Sequence, residues 1–138
     1  MAHKYRIILS GGGTGGHIYP AVAVAEALKR MLGDRVEQLF VGAEGKMEME
    51  KVPTLGYNIV GLPIVGMQRR LDIKNLAVPF RVVKCVNRAG KIIRDFGADV
   101  VAGFGGYASG PVLWAAQKML LPNLIQEQNS YAGLPNKI

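Results

Sequence analysis

Cysteine is nearly absent from this chain. Cys85 stands alone, which excludes an internal disulfide and agrees with a reducing compartment. Histidine is scarce as well, with His3 and His17 the only two. A nucleophilic cysteine needs a base beside it, so Cys85 reads as a helix-packing residue. No apolar run approaches the roughly 20 residues of a membrane-spanning helix. Ile7-Ile8-Leu9 follows Lys4 and Arg6, but that run is too short for a signal-peptide core, and glycines come at once. Internal repeats and low-complexity tracts are missing too.

Acidic residues are scarce in one segment. Between residues 69 and 94 stand eight bases (Arg69, Arg70, Lys74, Arg81, Lys84, Arg88, Lys91 and Arg94) with Asp72 as the only acid. Nine bases and nine acids balance elsewhere, so the whole net charge of +7 lies in this stretch. A localised positive patch points to an anionic partner, either a membrane surface or a nucleic acid. Phe80 is the segment's only aromatic residue, and no groove-reading motif accompanies it. Nucleic acid is therefore the weaker candidate.

What is present fits one globular domain. Hydrophobic residues make up 49% and charged residues 20% of 138, enough apolar surface to bury a core. The glycines gather in short clusters between apolar runs, as they do in turns and phosphate loops. Tyr5 to Leu9 predicts a buried strand ended by Ser10 and three glycines. Ala21, Val24, Ala25, Leu28 and Leu32 keep helical spacing and predict a helix from His17 to about Leu32. Pro20 suits its first turn and Gly33 its end.

Val36 to Val41 and Tyr57 to Leu62 predict strands on either side of a short helix at Lys46 to Lys51. Glu44, Glu48 and Glu50 read as the exposed face of that helix rather than as metal ligands. A longer helix is predicted from near Pro79 to Phe96, stopping at Gly97. Its apolar stripe (Val82, Val86, Ala89, Ile93) should pack on the sheet, leaving Arg81, Lys84, Arg88 and Lys91 opposite, at about 100° per residue. Val100 to Gly103, a helix from Pro111 to Met119, and the strand Leu124-Ile125 complete the series. Alternating strands and helices predict an α/β fold with a parallel sheet covered on both faces. Pro135 to Ile138 reads as a helix just starting, so the chain is expected to be a fragment.

In such a sheet the loops that leave the strands' C-terminal ends gather at one edge, where ligands bind. Three of them are rich in glycine and polar residues: residues 11–17, 103–111 and 126–133. Glycine admits a ligand to the backbone, and a helix start offers unpaired N–H groups with a partial positive charge. Two helix starts flanking one crevice suit a diphosphate. Gly11, Gly13 and Gly16 match G-x-G-x-x-G, but that pattern often marks only a tight turn. The acid that a dinucleotide site needs after the second strand is missing, since Val41-Gly42 stands there. No lysine follows the glycines, so the chain has no P-loop. His17 is either a polar helix-start residue or a base; at a helix N-terminus its neutral form is favoured. Glu127 either caps the third loop or faces the crevice and assists that base.

Gly12 to Pro20, Gly105 to Pro111, and Glu127-Gln128-Asn129 with Ala132-Gly133-Leu134 and Asn136-Lys137 resemble the MurG family, the undecaprenyl-diphospho-muramoylpentapeptide β-N-acetylglucosaminyltransferases. All three motifs stand in the family's order and spacing, so the resemblance spans essentially the whole chain. It implies a GT-B enzyme of two Rossmann-like domains, of which residues 1–138 are the N-terminal, acceptor-binding one and a UDP-sugar domain is absent from this chain. The implied reaction moves GlcNAc from UDP-GlcNAc to the C4 hydroxyl of the muramoyl sugar of lipid I, with inversion, giving lipid II.

By motif, His17 is the implied base with Glu127 beside it. Thr14, Gly15, Gly16 and Asn129 are implied to touch the donor. Gly12, Gly13, Gly105, Gly106, Tyr107 and Ser109 are implied to hold the acceptor diphosphate. No cofactor or metal is implied, UDP-GlcNAc being a co-substrate. Gln126 stands where the family usually has histidine; glutamine can still donate and accept. The implied location is peripheral, on the cytoplasmic face of the bacterial membrane. Arg69, Arg70, Leu71, Ile73, Lys74, Leu76, Phe80, Arg81, Lys84 and Arg88 are the expected contacts to anionic lipid. The competing reading is an acceptor- or membrane-recruiting subunit of a two-chain glycosyltransferase.

Overall fold

The computed structural model describes residues 4–12, 15–63, 77–106 and 108–126, with backbone alone for residues 15, 16 and 77–82. The strands are β1 (Tyr5–Ser10), β2 (Val36–Ala43), β3 (Ile59–Leu62), β4 (Val100–Gly103) and β5 (Asn123–Ile125). The helices are α1 (Gly15–Leu32), α2 (Glu48–Thr54), α3 (Ala77–Phe96) and α4 (Ser109–Lys118), with a 3-10 turn at Gly33–Arg35. Among the described residues all strand pairings are parallel, in the order β3-β2-β1-β4-β5. This is the predicted α/β architecture.

The side-chain alternation of the central strands sorts the core into two layers. Ile8, Val41, Leu62 and Val101 face Cys85, Ala89 and Ile93 of α3 and Val112, Ala115 and Ala116 of α4. Leu9, Phe40 and Ala102 face Ile18, Ala21 and Ala25 of α1 and Val52 of α2. Both Ile8 and Leu9 are fully buried, as expected for the middle strand of a sheet covered on both faces.

Three helices start earlier than the sequence expectation. Helix α1 begins at Gly15, α3 at Ala77 and α4 at Ser109, each two residues before the predicted start. Pro79 and Pro111 thereby become third residues of their helices, where proline is tolerated because no N–H is required of it. Pro20 is different, falling in the second turn of α1. It has no N–H to offer the Gly16 carbonyl. Helix α2 starts later than predicted and ends at Thr54. Strand β3 starts at Ile59 because Tyr57 is drawn under α1, where its ring lies 5.2 Å from that of Phe40 and its hydroxyl donates to Glu26.

On α3 the predicted division holds for the described side chains. Val86, Ala89 and Ile93 are buried, while Lys84, Arg88 and Lys91 are exposed. Arg81, Val82 and Phe80 lie outside the described side chains. Among the described residues, no helix is long and apolar enough to cross a membrane.

Candidate functional site

The strand order reverses between β1 and β4, and that is where a crevice opens in an open α/β sheet. Ser10 and Gly103, the last residues of the two strands, are register partners. The chain leaves β1 toward α1 on one face and leaves β4 toward α4 on the other. Two helix N-termini therefore flank the same point, each with backbone N–H groups that no preceding turn can accept.

Ser10 ties the floor of this crevice together. Its hydroxyl donates to the Val41 carbonyl at 3.0 Å. Its own carbonyl accepts from the Phe104 N–H at 2.8 Å and lies 2.8 Å from the Ser109 hydroxyl. That hydroxyl also lies 2.9 Å from the Gly105 carbonyl, and a single proton serves the two acceptors. Ser109 is fully buried. Its hydroxyl is turned into the protein and fastens the second glycine loop to β1, so any part it takes in binding goes through the position of that loop.

Gly11 and Gly12 are also buried. The two glycine loops touch directly: a Cβ on Gly106 would stand 2.4 Å from the Gly12 carbonyl oxygen. A Cβ on Gly105 would stand 2.6 Å from Cδ2 and 2.8 Å from Nε2 of His17. Gly105 and Gly106 have φ of +97° and +91°, a region that side-chain-bearing residues rarely enter. Space and backbone each demand glycine at these two positions.

His17 is half-buried in the first turn of α1, with its imidazole lying over Gly105. Its Nδ1 is 3.0 Å from the Gly12 carbonyl oxygen. A carbonyl only accepts, so Nδ1 carries a proton in this contact, and whenever the ring is neutral Nε2 is the basic nitrogen. The first loop thus holds the histidine in one tautomer while the second supplies the surface it rests on.

At this edge one side chain lies in a different environment from the sequence expectation. Glu48 is not on an exposed face: it is 1% exposed, although Glu44 and Glu50 are exposed as expected. Its Oε2 accepts the Ala43 N–H at 2.9 Å. A Cβ on Gly12 would fall 2.2 Å from the Glu48 Cδ, and one on Gly42 would fall 2.5 Å from its Cγ. The available signal was the spacing of Glu48 and Val52, which share a helix face at i, i+4; both are buried.

The remaining site expectations fall partly or wholly outside the described residues. Gly15 and Gly16 form the first turn of α1. Gly13, Thr14, Tyr107, Glu127 and Asn129 lie outside, as do Arg69, Arg70, Leu71, Ile73, Lys74 and Leu76. Gln126 closes the described chain, its N–H donating to the Gly103 carbonyl at 2.9 Å. Among the described residues no cluster of three or more His, Cys, Asp or Glu is placed to hold a metal ion. Cys85 is buried on α3, and burial pushes its thiol above the ordinary range, which suits a packing role.

Known proteins share the sequence and fold of this chain. The model of the glycosyltransferase family 28 N-terminal domain matches residues 7–138. The chain is 59% identical over 133 residues to the UDP-N-acetylglucosamine–N-acetylmuramyl-(pentapeptide) pyrophosphoryl-undecaprenol N-acetylglucosamine transferase of Cytophaga hutchinsonii, covering 96% of this chain and 36% of that protein. The transferase of the same name from Parabacteroides distasonis is 56% identical over 135 residues, which is 98% of this chain and 36% of its own length. Among solved structures, MurG of Acinetobacter baumannii matches with a TM-score of 0.82 at 33% identity, over 96% of this chain and 38% of that one. The chain spans little more than a third of the length of these relatives.

Proposed function

The chain belongs to the glycosyltransferase family 28 N-terminal domains, and from that premise we propose that it is the acceptor-side half of an inverting GT-B glycosyltransferase. The reaction is transfer of GlcNAc from UDP-GlcNAc to the C4 hydroxyl of lipid I, giving lipid II for peptidoglycan. The observation that carries this reading is the placement of His17. It sits where the strand order reverses, Nδ1 held by the Gly12 carbonyl at 3.0 Å, its ring against Gly105.

In the proposed step, His17 Nε2 takes the proton of the C4 hydroxyl as that oxygen attacks the anomeric carbon of GlcNAc. Attack comes from the face opposite the UDP. The bond from the anomeric carbon to the UDP oxygen breaks, UDP leaves with the electron pair, and the configuration inverts. Glu127 assists the base. The acceptor diphosphate lies across the crevice between the starts of α1 and α4, against Gly12, Gly13, Gly105, Gly106 and Tyr107, with Ser109 holding the second loop in place. Helix N-termini are suited to this because their N–H groups and dipoles favour negative charge. Thr14, Gly15, Gly16 and Asn129 meet the donor, most of which is held by a second domain.

The domain works at the cytoplasmic face of the bacterial membrane. Exposed Lys84 and Arg88 on α3 support docking on anionic lipid, together with Arg81 and the preceding segment that carries Arg69, Arg70, Leu71, Ile73, Lys74, Leu76 and Phe80. The experiment that tests the catalytic reading is replacement of His17 by alanine in the full-length enzyme, separating the effect on turnover from that on acceptor binding.

A further inference from the structure

Resting on the reading of His17 as the base, we propose that Glu48 is a positioning residue that fixes the His17 tautomer by seating Gly12. A buried carboxylate loses its hydration and is tolerated only where hydrogen-bond donors replace the water. An apolar side chain would fill the same space under α2 without that penalty. Here the carboxylate group itself makes the contact with the first glycine loop. The Cβ position of Gly12 falls 2.2 Å from both Cδ and Oε2 of Glu48, and 2.6 Å from Oε1. The stem of the side chain rests over Gly42, and Oε2 is anchored by the Ala43 N–H at 2.9 Å.

Gly12 is therefore clamped. Glu48 packs against its Cα, and Gly106 packs against its peptide atoms, since a Cβ on Gly106 would stand 2.4 Å from the Gly12 oxygen and 3.0 Å from its nitrogen. The oxygen fixed by that clamp is the one that accepts from His17 Nδ1 at 3.0 Å. The line of contact runs from the end of β2, through Glu48 and Gly12, to the imidazole. A glycine alone has wide backbone freedom, so an unclamped Gly12 would present its carbonyl less consistently. His17 would then sample the other tautomer, in which Nε2 carries the proton and has no basic lone pair for an acceptor hydroxyl.

The test uses this chain with 15N-labelled histidine, at a pH where the imidazoles are neutral. The two histidine signals are assigned with a His3→Gln variant. Wild-type His17 should show the Nδ1–H tautomer. Glu48→Gln preserves the shape and an oxygen for the Ala43 N–H, so it should retain that tautomer. Glu48→Ala should move His17 into a mixture containing the Nε2–H form. In the full-length enzyme Glu48→Ala should lower kcat roughly 10²-fold, the scale of a small misplacement of a catalytic group, with the KM for UDP-GlcNAc little changed.

A purely structural tether of α2 would lower the melting temperature of Glu48→Ala and leave the tautomer alone; that outcome overturns the proposal. Should Glu48→Ala fail to fold, Glu48→Asp withdraws the carboxylate by one methylene and decides in its place. A folded Glu48→Asp variant that keeps the wild-type Nδ1–H signal counts against the proposal in the same way. Wild-type His17 found in the Nε2–H form would instead refute the reading of His17 on which the proposal rests.

Discussion

Gly106→Ala, Gly105→Ala and Gly110→Ala add the same methyl group within one six-residue stretch, and the geometry ranks them without ambiguity. At Gly106 the backbone has φ of +91°, and the new Cβ stands 2.4 Å from the Gly12 oxygen and 3.0 Å from its nitrogen. Those are backbone atoms of a clamped loop, so they cannot swing aside. Backbone strain of about 1–3 kcal/mol adds to a similar overpacking cost, giving roughly 2–6 kcal/mol against a typical total of about 5–15 kcal/mol.

Gly105 has φ of +97°, but its new Cβ meets the His17 ring, whose Cδ2 is 2.6 Å away. A side chain can rotate, so the stability cost stays near the strain alone, about 1–3 kcal/mol, while the His17–Gly12 hydrogen bond is lost. Gly110 lies in the first turn of α4, and its Cβ would meet nothing within 4 Å. Alanine there should be neutral or stabilise by up to about 1 kcal/mol through helix propensity. Thermal melts followed by circular dichroism read the series, at roughly 2–8 °C per kcal/mol for a domain of this size. Gly106→Ala melting within 2 °C of Gly110→Ala, on the scale of that conversion, would refute the claim that the two loops are in rigid contact.

Two further predictions concern regions away from the crevice. Burial, and then the Glu26 carboxylate that accepts its hydrogen bond, raise the Tyr57 phenol well above its ordinary value. The unfolded phenol ionises near pH 10, so the stability from this shift is complete below that pH and is lost above it. Urea unfolding between about pH 9 and 11 should therefore fall less steeply for Tyr57→Phe than for wild type; parallel curves would count against a shielded phenol. On α3, the triple reversal of Arg81, Lys84 and Arg88 to glutamate should remove binding to anionic vesicles. At about 1 kcal/mol per base near the surface, the loss is at least 100-fold, and wild-type binding should weaken with salt. Equal binding to neutral vesicles would exclude an electrostatic dock.

Much of this architecture was legible because one period dominated each segment. Ile8 and Leu9 could only be buried on opposite faces of a strand. Val86, Ala89 and Ile93 could share a face only in a helix. The helix starts were less legible, because Pro79, Pro111 and His17 drew attention to residues that turn out to lie inside the first turn. His17 stood out because it ends a run of glycines, and the structure gives that position its meaning through Gly12 and Gly105. Glu48 was hidden by a reasonable rule, that glutamates near a short helix face water. The rule fails where a glycine-lined hollow provides room for a carboxylate and the Ala43 N–H provides a donor. Ser10 and Ser109 were hidden for a related reason: nothing in a hydroxyl's local sequence tells whether it turns to a ligand or, as here, to the carbonyls of Val41, Ser10 and Gly105.

Turnover by the His17→Ala full-length enzyme tests most directly the proposal that His17 removes the acceptor's proton. Loss of a general base predicts a fall in kcat of roughly 10²–10⁴-fold, with the dissociation constant of the lipid-linked acceptor changed far less. Glycine loops and helix N-termini remain intact in that variant, so binding and chemistry separate cleanly. A His17→Ala enzyme that turns over at close to the wild-type rate would contradict the account and leave His17 as a residue that only shapes the first loop.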